Sequence, residues 1–219
     1  MSLVVIASGF LFLFILVLNI VMAVFGYTLD LADVDSDAEL QKISTNPKKW
    51  KIGIGFALIE HGCVIALAIL LFVTFSPFNL ILGAVLVISR IGEGLVQFHN
   101  ENTYWGLLSI AKQYSGNSGA AKEELSGQAL SILKLKDHRF NYTMILWAIG
   151  TLAFSIVLVT ADVVPLLIGW IGIIGSIFIG LSNGLKTVNR NVKILTVFAL
   201  LGIIFEIGIG GWLLFVGIP

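Results

Sequence analysis

Long apolar runs separated by short polar segments make up most of the chain. A membrane-spanning helix needs about 20 consecutive, mostly apolar residues. Such runs occur at 3–26, 52–75, 78–99, 142–161, 163–183 and 194–216. They are apolar on all sides, whereas transmembrane strands alternate. The pattern predicts an all-α, polytopic transmembrane helical bundle with six spans, in a single membrane domain over residues 1–219.

Composition supports a bilayer as the solvent of this chain. Of its 219 residues, 58% are hydrophobic and 12% are charged, against about a quarter charged in soluble domains. The 13 basic and 13 acidic residues leave no basic excess, which excludes a nucleic-acid partner. The first run lacks a basic n-region and an Ala-x-Ala site, so we interpret it as a retained helix. The predicted partner is therefore the lipid bilayer.

The basic residues are distributed asymmetrically between the two sides of the predicted bundle. Alternate threading places segments 27–51, 100–141 and 184–193 on one side. They contain every lysine and arginine except Arg90, whereas the opposite side has none. The positive-inside rule predicts that these three segments are cytoplasmic and that both termini lie outside.

The two longer segments on the basic side differ in pattern. Residues 27–49 resemble a polar linker with an acidic run. In 100–141, a turn at 116–119 precedes a helical stretch with one apolar face, formed by Ala121, Leu125, Ala129, Ile132 and Leu133. This pattern predicts an amphipathic helix that lies at the membrane interface or packs against the bundle.

Charged residues inside the predicted spans are the main candidates for function. Glu60, Arg90, Glu93 and Glu206 each cost about 2.5–3.5 kcal/mol at a helix centre, so they should face the bundle interior and have partners. Arg90 and Glu93 are three residues apart on one helix face, and Gln97 extends that polar stripe. We interpret the five residues as a buried polar cluster. It is either a structural knot that fixes helix packing or a site for a proton, an ion or a substrate headgroup.

His61 and His99 are secondary candidates for this cluster. His61 points about 100° away from Glu60 on a helix, and His99 lies at the end of its predicted span. The chain has no metal-ligand spacing, nucleophile elbow, phosphate loop or dinucleotide fingerprint. The sequence therefore predicts no catalytic residue, no metal and no cofactor.

Several short motifs resemble one family. Residues 87–95, Val-Ile-Ser-Arg-Ile-Gly-Glu-Gly-Leu, are similar to the Phe-Arg-x-x-Glu/Gln signature of the domain-of-unknown-function 4386 family. Thr45-Asn46-Pro47 leading into Ile59-Glu60, and Pro165 followed by Trp170 and Gly172, resemble two further landmarks. The resemblance covers about residues 5–215. It implies a multi-pass protein of a bacterial or archaeal plasma membrane with no established activity, in which Glu60, Arg90 and Glu93 form a shared feature.

Three classes of function remain open at this stage. The first is a non-enzymatic structural or interaction role in the membrane, as a homodimer or with a partner in a membrane complex. The second is a small-molecule or ion- or proton-coupled transporter that uses the intramembrane cluster, and a chain of six spans would then need to dimerise. The third is a lipid-acting membrane enzyme, for which the chain offers no nucleophile or metal site.

Overall fold

The computed structural model describes residues 2–27, 34–188 and 198–218. No strand occurs within these ranges, which confirms the all-α prediction. The helices are α1 (Leu3–Val24), α2 (Ser36–Thr45), α3 (Pro47–Phe75), α4 (Leu80–Trp105), α5 (Leu107–Tyr114), α6 (Ala120–Ala161), α7 (Leu166–Thr187) and α8 (Ala199–Phe215).

Local sequence signals explain where several helices begin. The Asp35 carboxylate accepts a hydrogen bond from the Asp37 N–H at 2.9 Å and caps α2. Pro47 occupies the first position of α3, where its missing N–H leaves no partner unsatisfied. Before α6, Gly119 has a φ of +59°, a left-handed conformation that glycine adopts without steric cost.

The segments between the predicted spans contain more helix than the sequence pattern indicated. Segment 27–51 contains α2 rather than only a linker, because Leu40 and Ile43 bury completely against their unit. In segment 100–141, α4 continues to Trp105 and α5 follows. The helix expected after the 116–119 turn is present, but it is continuous with the predicted span 142–161 and together they form the 42-residue α6.

Within the described ranges, five helices are long and apolar enough to cross a membrane: α1, α3, the α4–α5 stretch, α6 and α7. Helix α8 is apolar too, and its 17 described residues compare with about 20 in a typical span. Part of the sixth predicted span, residues 194–197, lies outside the described residues, as do 28–33 and 189–193 of two predicted cytoplasmic segments.

The chain divides into two compact units, each with its own core. The first unit comprises Met1–Val17, His61–Leu95 and Asn141–Pro219, and its core includes Phe12, Leu71, Phe154, Phe205 and Leu213. The second comprises Leu18–Glu60 and Val96–Phe140, and its core includes Ile43, Ile54, Tyr104, Leu107 and Leu133. Burial of these side chains provides the packing energy of each unit.

Candidate functional site

The second unit buries an ion pair together with a tyrosine. The Lys136 ammonium lies 3.1 Å from Glu101 Oε1 and donates a hydrogen bond of 2.7 Å to the Tyr27 hydroxyl. The Tyr27 hydroxyl in turn donates to Glu101 Oε1. The Lys136 and Glu101 side chains are only 3% and 1% exposed, so water contributes little to their solvation. The three groups therefore satisfy one another inside the protein.

A second ion pair lies in the same unit. The Tyr104 hydroxyl donates to Glu39 Oε1 at 2.8 Å, and the Lys42 ammonium lies 2.8 Å from Glu39 Oε2. The Lys136 ammonium lies 3.5 Å from the centre of the Tyr104 ring and 4.1 Å from that of Tyr27, which places it between two aromatic faces. We name the two ion pairs and two tyrosines (Tyr27, Glu39, Lys42, Glu101, Tyr104 and Lys136) the tyrosine–lysine network.

Four segments position the tyrosine–lysine network. Tyr27 follows α1. Gly26, with a φ of +78°, turns the chain at the end of this helix, and the Tyr27 N–H then donates a hydrogen bond to the Met22 carbonyl. Glu39 projects from α2, Glu101 and Tyr104 from α4, and Lys136 from α6. The network therefore ties together segments that are far apart in sequence.

Burial changes the ionisation of Tyr27. Loss of hydration raises the pKa of the Tyr27 hydroxyl well above its usual value, and the negative charge of Glu101 raises it further. Tyr27 therefore stays protonated at neutral pH and remains a hydrogen-bond donor. On the protein surface, hydrogen bonds from Ser126 and Tyr114 instead hold the pKa of the Asp37 carboxyl below its usual value.

The first unit contains the predicted pair of charges on α4. Arg90 Nη1 donates to Glu93 Oε2 at 2.7 Å, and their side chains are 7% and 12% exposed. Gly150 of α6 makes space for the arginine, because a Cβ there would lie 3.0 Å from Arg90 Cγ. The guanidinium therefore reaches its carboxylate along one helix face while its aliphatic stem packs on a neighbouring helix.

The other candidates of the predicted cluster differ in burial and in the unit to which they belong. Glu206 is half-buried on α8 and accepts a hydrogen bond of 3.2 Å from Trp147 Nε1 in the first unit. Glu60 and Gln97 are half-buried and belong to the second unit. His61 is buried in the first unit, whereas His99 is exposed in the second.

The residues of the tyrosine–lysine network lie in segments 27–51 and 100–141, which the sequence pattern places between spans, and no sequence motif identifies them. The signal was present on α6, where Lys136 lies three residues after Leu133 and seven after Ala129, on the apolar face of the predicted helix. That face packs into the core of the second unit, with Leu125, Ala129 and Leu133 all buried. Lys136 is one of the basic residues on which the predicted orientation rests, and the structure buries it.

The buried charged residues compensate one another electrostatically. The five charged residues that the described part buries, Glu39, Arg90, Glu93, Glu101 and Lys136, each form an ion pair within their own unit. Among the described residues, no three histidine, cysteine or acidic side chains come together in a way that suits a metal ion. The Lys136–Glu101 pair, which joins α6 to α4, is suited to holding these two helices together.

Comparison with known proteins identifies a family without assigning an activity. No curated protein and no solved structure matches the chain. A family model described as "Domain of unknown function (DUF4386)" matches residues 7–217, which confirms the resemblance seen in the sequence. The match covers nearly the whole chain, so this protein belongs to the DUF4386 family.

Proposed function

We propose that this protein is a non-enzymatic, multi-pass component of a bacterial or archaeal plasma membrane with a structural or interaction role. In this role the buried charges fix how its helices pack. The observation that carries the proposal is the buried pair Lys136–Glu101, which joins α6 to α4, together with the hydrogen bond from Tyr104 of α4 to Glu39 of α2. Buried pairs of this kind confer specificity of packing in some proteins, because a misaligned helix would leave a charge without its partner.

The proposed membrane topology has six spans. The five long apolar helices support it, and we assign the sixth span to the run 194–216, which includes α8. Segments 27–51, 100–141 and 184–193 then face the cytoplasm, because they carry nearly all the basic residues. A homodimer, or a partner in a membrane complex, would use the lipid-facing side of the bundle.

The pair Arg90–Glu93 on α4 tests whether charge pairing stabilises the first unit. Arg90→Met removes the guanidinium and leaves the Glu93 carboxylate buried, which should cost about 3–5 kcal/mol of unfolding free energy. The double variant Arg90→Met/Glu93→Leu removes both charges and should stay close to wild type. Thermal unfolding in detergent micelles measures both, and Lys49→Met, at an exposed position, is the control for loss of a positive charge.

Flux through proteoliposomes separates this proposal from transport. A packing role predicts that liposomes with wild-type protein conduct protons, Na⁺ and K⁺ no faster than empty liposomes. A wild-type flux that disappears in a stably folded Arg90→Met/Glu93→Leu variant would replace the structural role with transport. Hydrolysis of membrane lipids by purified protein would instead support the enzyme hypothesis.

A further inference from the structure

A pocket of about 340 Å³ lies in the second unit between α2, α3 and α5. Its polar lining consists of Lys51, Lys112, Ser44 and Ser115. The volume falls within the range of about 300–1,000 Å³ that is typical of small-molecule sites. None of these residues belongs to the tyrosine–lysine network or to the Arg90–Glu93 pair.

The rest of the lining is apolar. Ile43 and Ala111 are completely buried and Leu108 is half-buried, so they form a hydrophobic floor beneath the polar side chains. The pocket therefore combines a cationic mouth with a hydrocarbon-compatible floor. A ligand that fits both carries an anionic group next to an apolar chain.

The charge of the mouth is not compensated from within the pocket. Lys51 and Lys112 are both exposed, and across the described residues neither ammonium forms an ion pair. No carboxylate lies among the described residues that line the pocket. Two ammonium groups at one mouth attract an anion and repel cations.

The serines add a second kind of contact. The Ser44 hydroxyl donates to the Gln41 carbonyl at 2.9 Å, and the Ser115 hydroxyl donates to the Lys112 carbonyl at 2.9 Å. Their protons are engaged, so the two oxygens remain available as acceptors. Two hydroxyl oxygens that can accept hydrogen bonds, next to two ammonium groups, suit a phosphate ester whose alcohol part carries free hydroxyl groups.

The position of the pocket along the chain matches the depth of lipid headgroups. Lys51 directly precedes the apolar run 52–75. The rings of Trp50 and Trp105 lie 6.1 Å apart, and Trp105 is exposed, as is typical of aromatic side chains at a membrane interface. Basic pockets between helices at this depth bind anionic lipid headgroups.

We propose that the pocket binds the headgroup of an anionic phospholipid of the phosphatidylglycerol type. Lys51 and Lys112 contact the phosphate, Ser44 and Ser115 accept from the glycerol hydroxyls, and the apolar floor contacts the start of an acyl chain. The assignment rests on the membrane placement in the proposed function, but not on the packing role of the buried ion pairs.

Native mass spectrometry of the purified full-length protein in neutral detergent tests the lipid site with added dioleoyl-phosphatidylglycerol. Lys51→Gln/Lys112→Gln should weaken binding by about 30-fold, because each lysine near an anionic lipid contributes a factor of about five. The control Lys48→Gln/Lys49→Gln removes the same charge from exposed positions of the same helix outside the pocket lining, and it should change binding less than about threefold.

Further variants and ligands distinguish lipid binding in the pocket from non-specific electrostatic attraction. Ser115→Trp keeps both lysines but fills the mouth, so it should abolish the tight lipid adduct. Dioleoyl-phosphatidylcholine should not bind measurably, and millimolar inorganic phosphate should not displace the lipid. Equal loss in both lysine variants, equal binding of phosphatidylcholine, displacement by phosphate or retained binding in Ser115→Trp would each overturn the assignment.

The lipid site and the proposed function fail in different ways. If the membrane placement is wrong, alkaline carbonate will release the wild-type protein from membranes. If only the lipid site is wrong, the protein will stay in the membrane fraction and Lys51→Gln/Lys112→Gln will bind phosphatidylglycerol as wild type does. Matching thermal unfolding of the lysine variants and wild type shows that any loss of binding does not come from loss of the fold.

Discussion

Lys136 illustrates how a charge is kept inside this protein. An unpaired ammonium away from water is strongly unfavourable, and its usual consequence is loss of the proton or of the fold. Here the Glu101 carboxylate and the Tyr27 hydroxyl contact the ammonium directly, and two aromatic rings face it. Asn100 also donates to the Lys136 carbonyl at 3.1 Å, which fixes the backbone below the side chain.

The first prediction concerns removal of this ammonium. Lys136→Met keeps most of the side-chain volume but leaves the Glu101 carboxylate buried without its cation. We expect the free energy of unfolding to fall by about 3–5 kcal/mol. Unfolding of the purified protein in mixed micelles, followed by tryptophan fluorescence, measures the change.

Two further variants separate charge from packing at this position. Lys134→Met, two residues earlier on the exposed side of α6, should change the free energy of unfolding by less than about 0.5 kcal/mol. Lys136→Met/Glu101→Gln removes both charges and should recover most of the loss. If the double variant were as unstable as Lys136→Met, pairing of the two charges would not be the source of the stability.

Among the helices, α7 packs closely because it carries glycines on one face. Gly175 lies so near α8 that a Cβ there would be 3.2 Å from Leu201 Cβ. Gly172 faces both neighbours: a Cβ would meet Ser155 Oγ of α6 and lie 2.6 Å from Phe205 Cε2 of α8. Close approach through small residues is a common way for helices to associate in membranes.

The second prediction follows from this contact. Gly172→Ala introduces a methyl group where the Ser155 hydroxyl and the Phe205 ring leave no room, so α7 must shift or these side chains must leave their rotamers. We expect a loss of about 1–3 kcal/mol, the usual cost of overpacking. The matched control is Gly184→Ala on the same helix, where no atom lies within 4 Å of the new Cβ. Its unfolding midpoint in detergent should equal that of wild type or exceed it, and equal loss in both variants would contradict the packing argument.

The apolar runs could be read from the sequence because a long uninterrupted run is a strong signal, and it placed α1, α3, α4, α6 and α7. Glycines of α7 lie against two helices: Gly175 against α8, Gly169 and Gly180 against α6, and Gly172 against both. The extent of α6 could not be read from the sequence, because its first half is amphipathic and looks separate from the apolar half that follows.

For the candidate site, the i, i+3 spacing of Arg90 and Glu93 predicts their pairing, because both residues lie on one helix. The tyrosine–lysine network needs contacts between residues up to 109 positions apart, such as Lys136 and Tyr27. Spacing along a single helix carries no information about such pairs. Charged residues in polar segments are usually solvated, whereas Lys136 and Glu101 are buried.

At the scale of the whole molecule, helix length limits how the chain can lie in a bilayer. The 42 residues of α6 measure about 63 Å along the axis, about twice the hydrocarbon thickness. Only part of α6 can therefore lie in the hydrocarbon region, and its apolar C-terminal half is the part suited to it. The polar first half, with Lys122, Glu123 and Glu124 exposed, then extends into water on the side of the basic segments.

The third prediction tests the six-span topology and its orientation. In a Cys63→Ala background, single cysteines at Ser2, Pro77, Ser118 and Val216 sample four exposed positions. With six spans and cytoplasmic basic segments, a membrane-impermeant maleimide added to intact cells should label the cysteines at 2, 77 and 216. The cysteine at 118 should react only after permeabilisation.

Each alternative topology gives a different labelling pattern. If α8 does not cross the bilayer, five spans remain and the cysteine at 216 should react only after permeabilisation, together with that at 118. If the orientation is inverted, only the cysteine at 118 should react in intact cells. The basic residues of the three segments make inversion unfavourable. They include every lysine and arginine except Arg90, so turning the bundle over would move all twelve to the outer face, against the charge bias that orients helices during insertion.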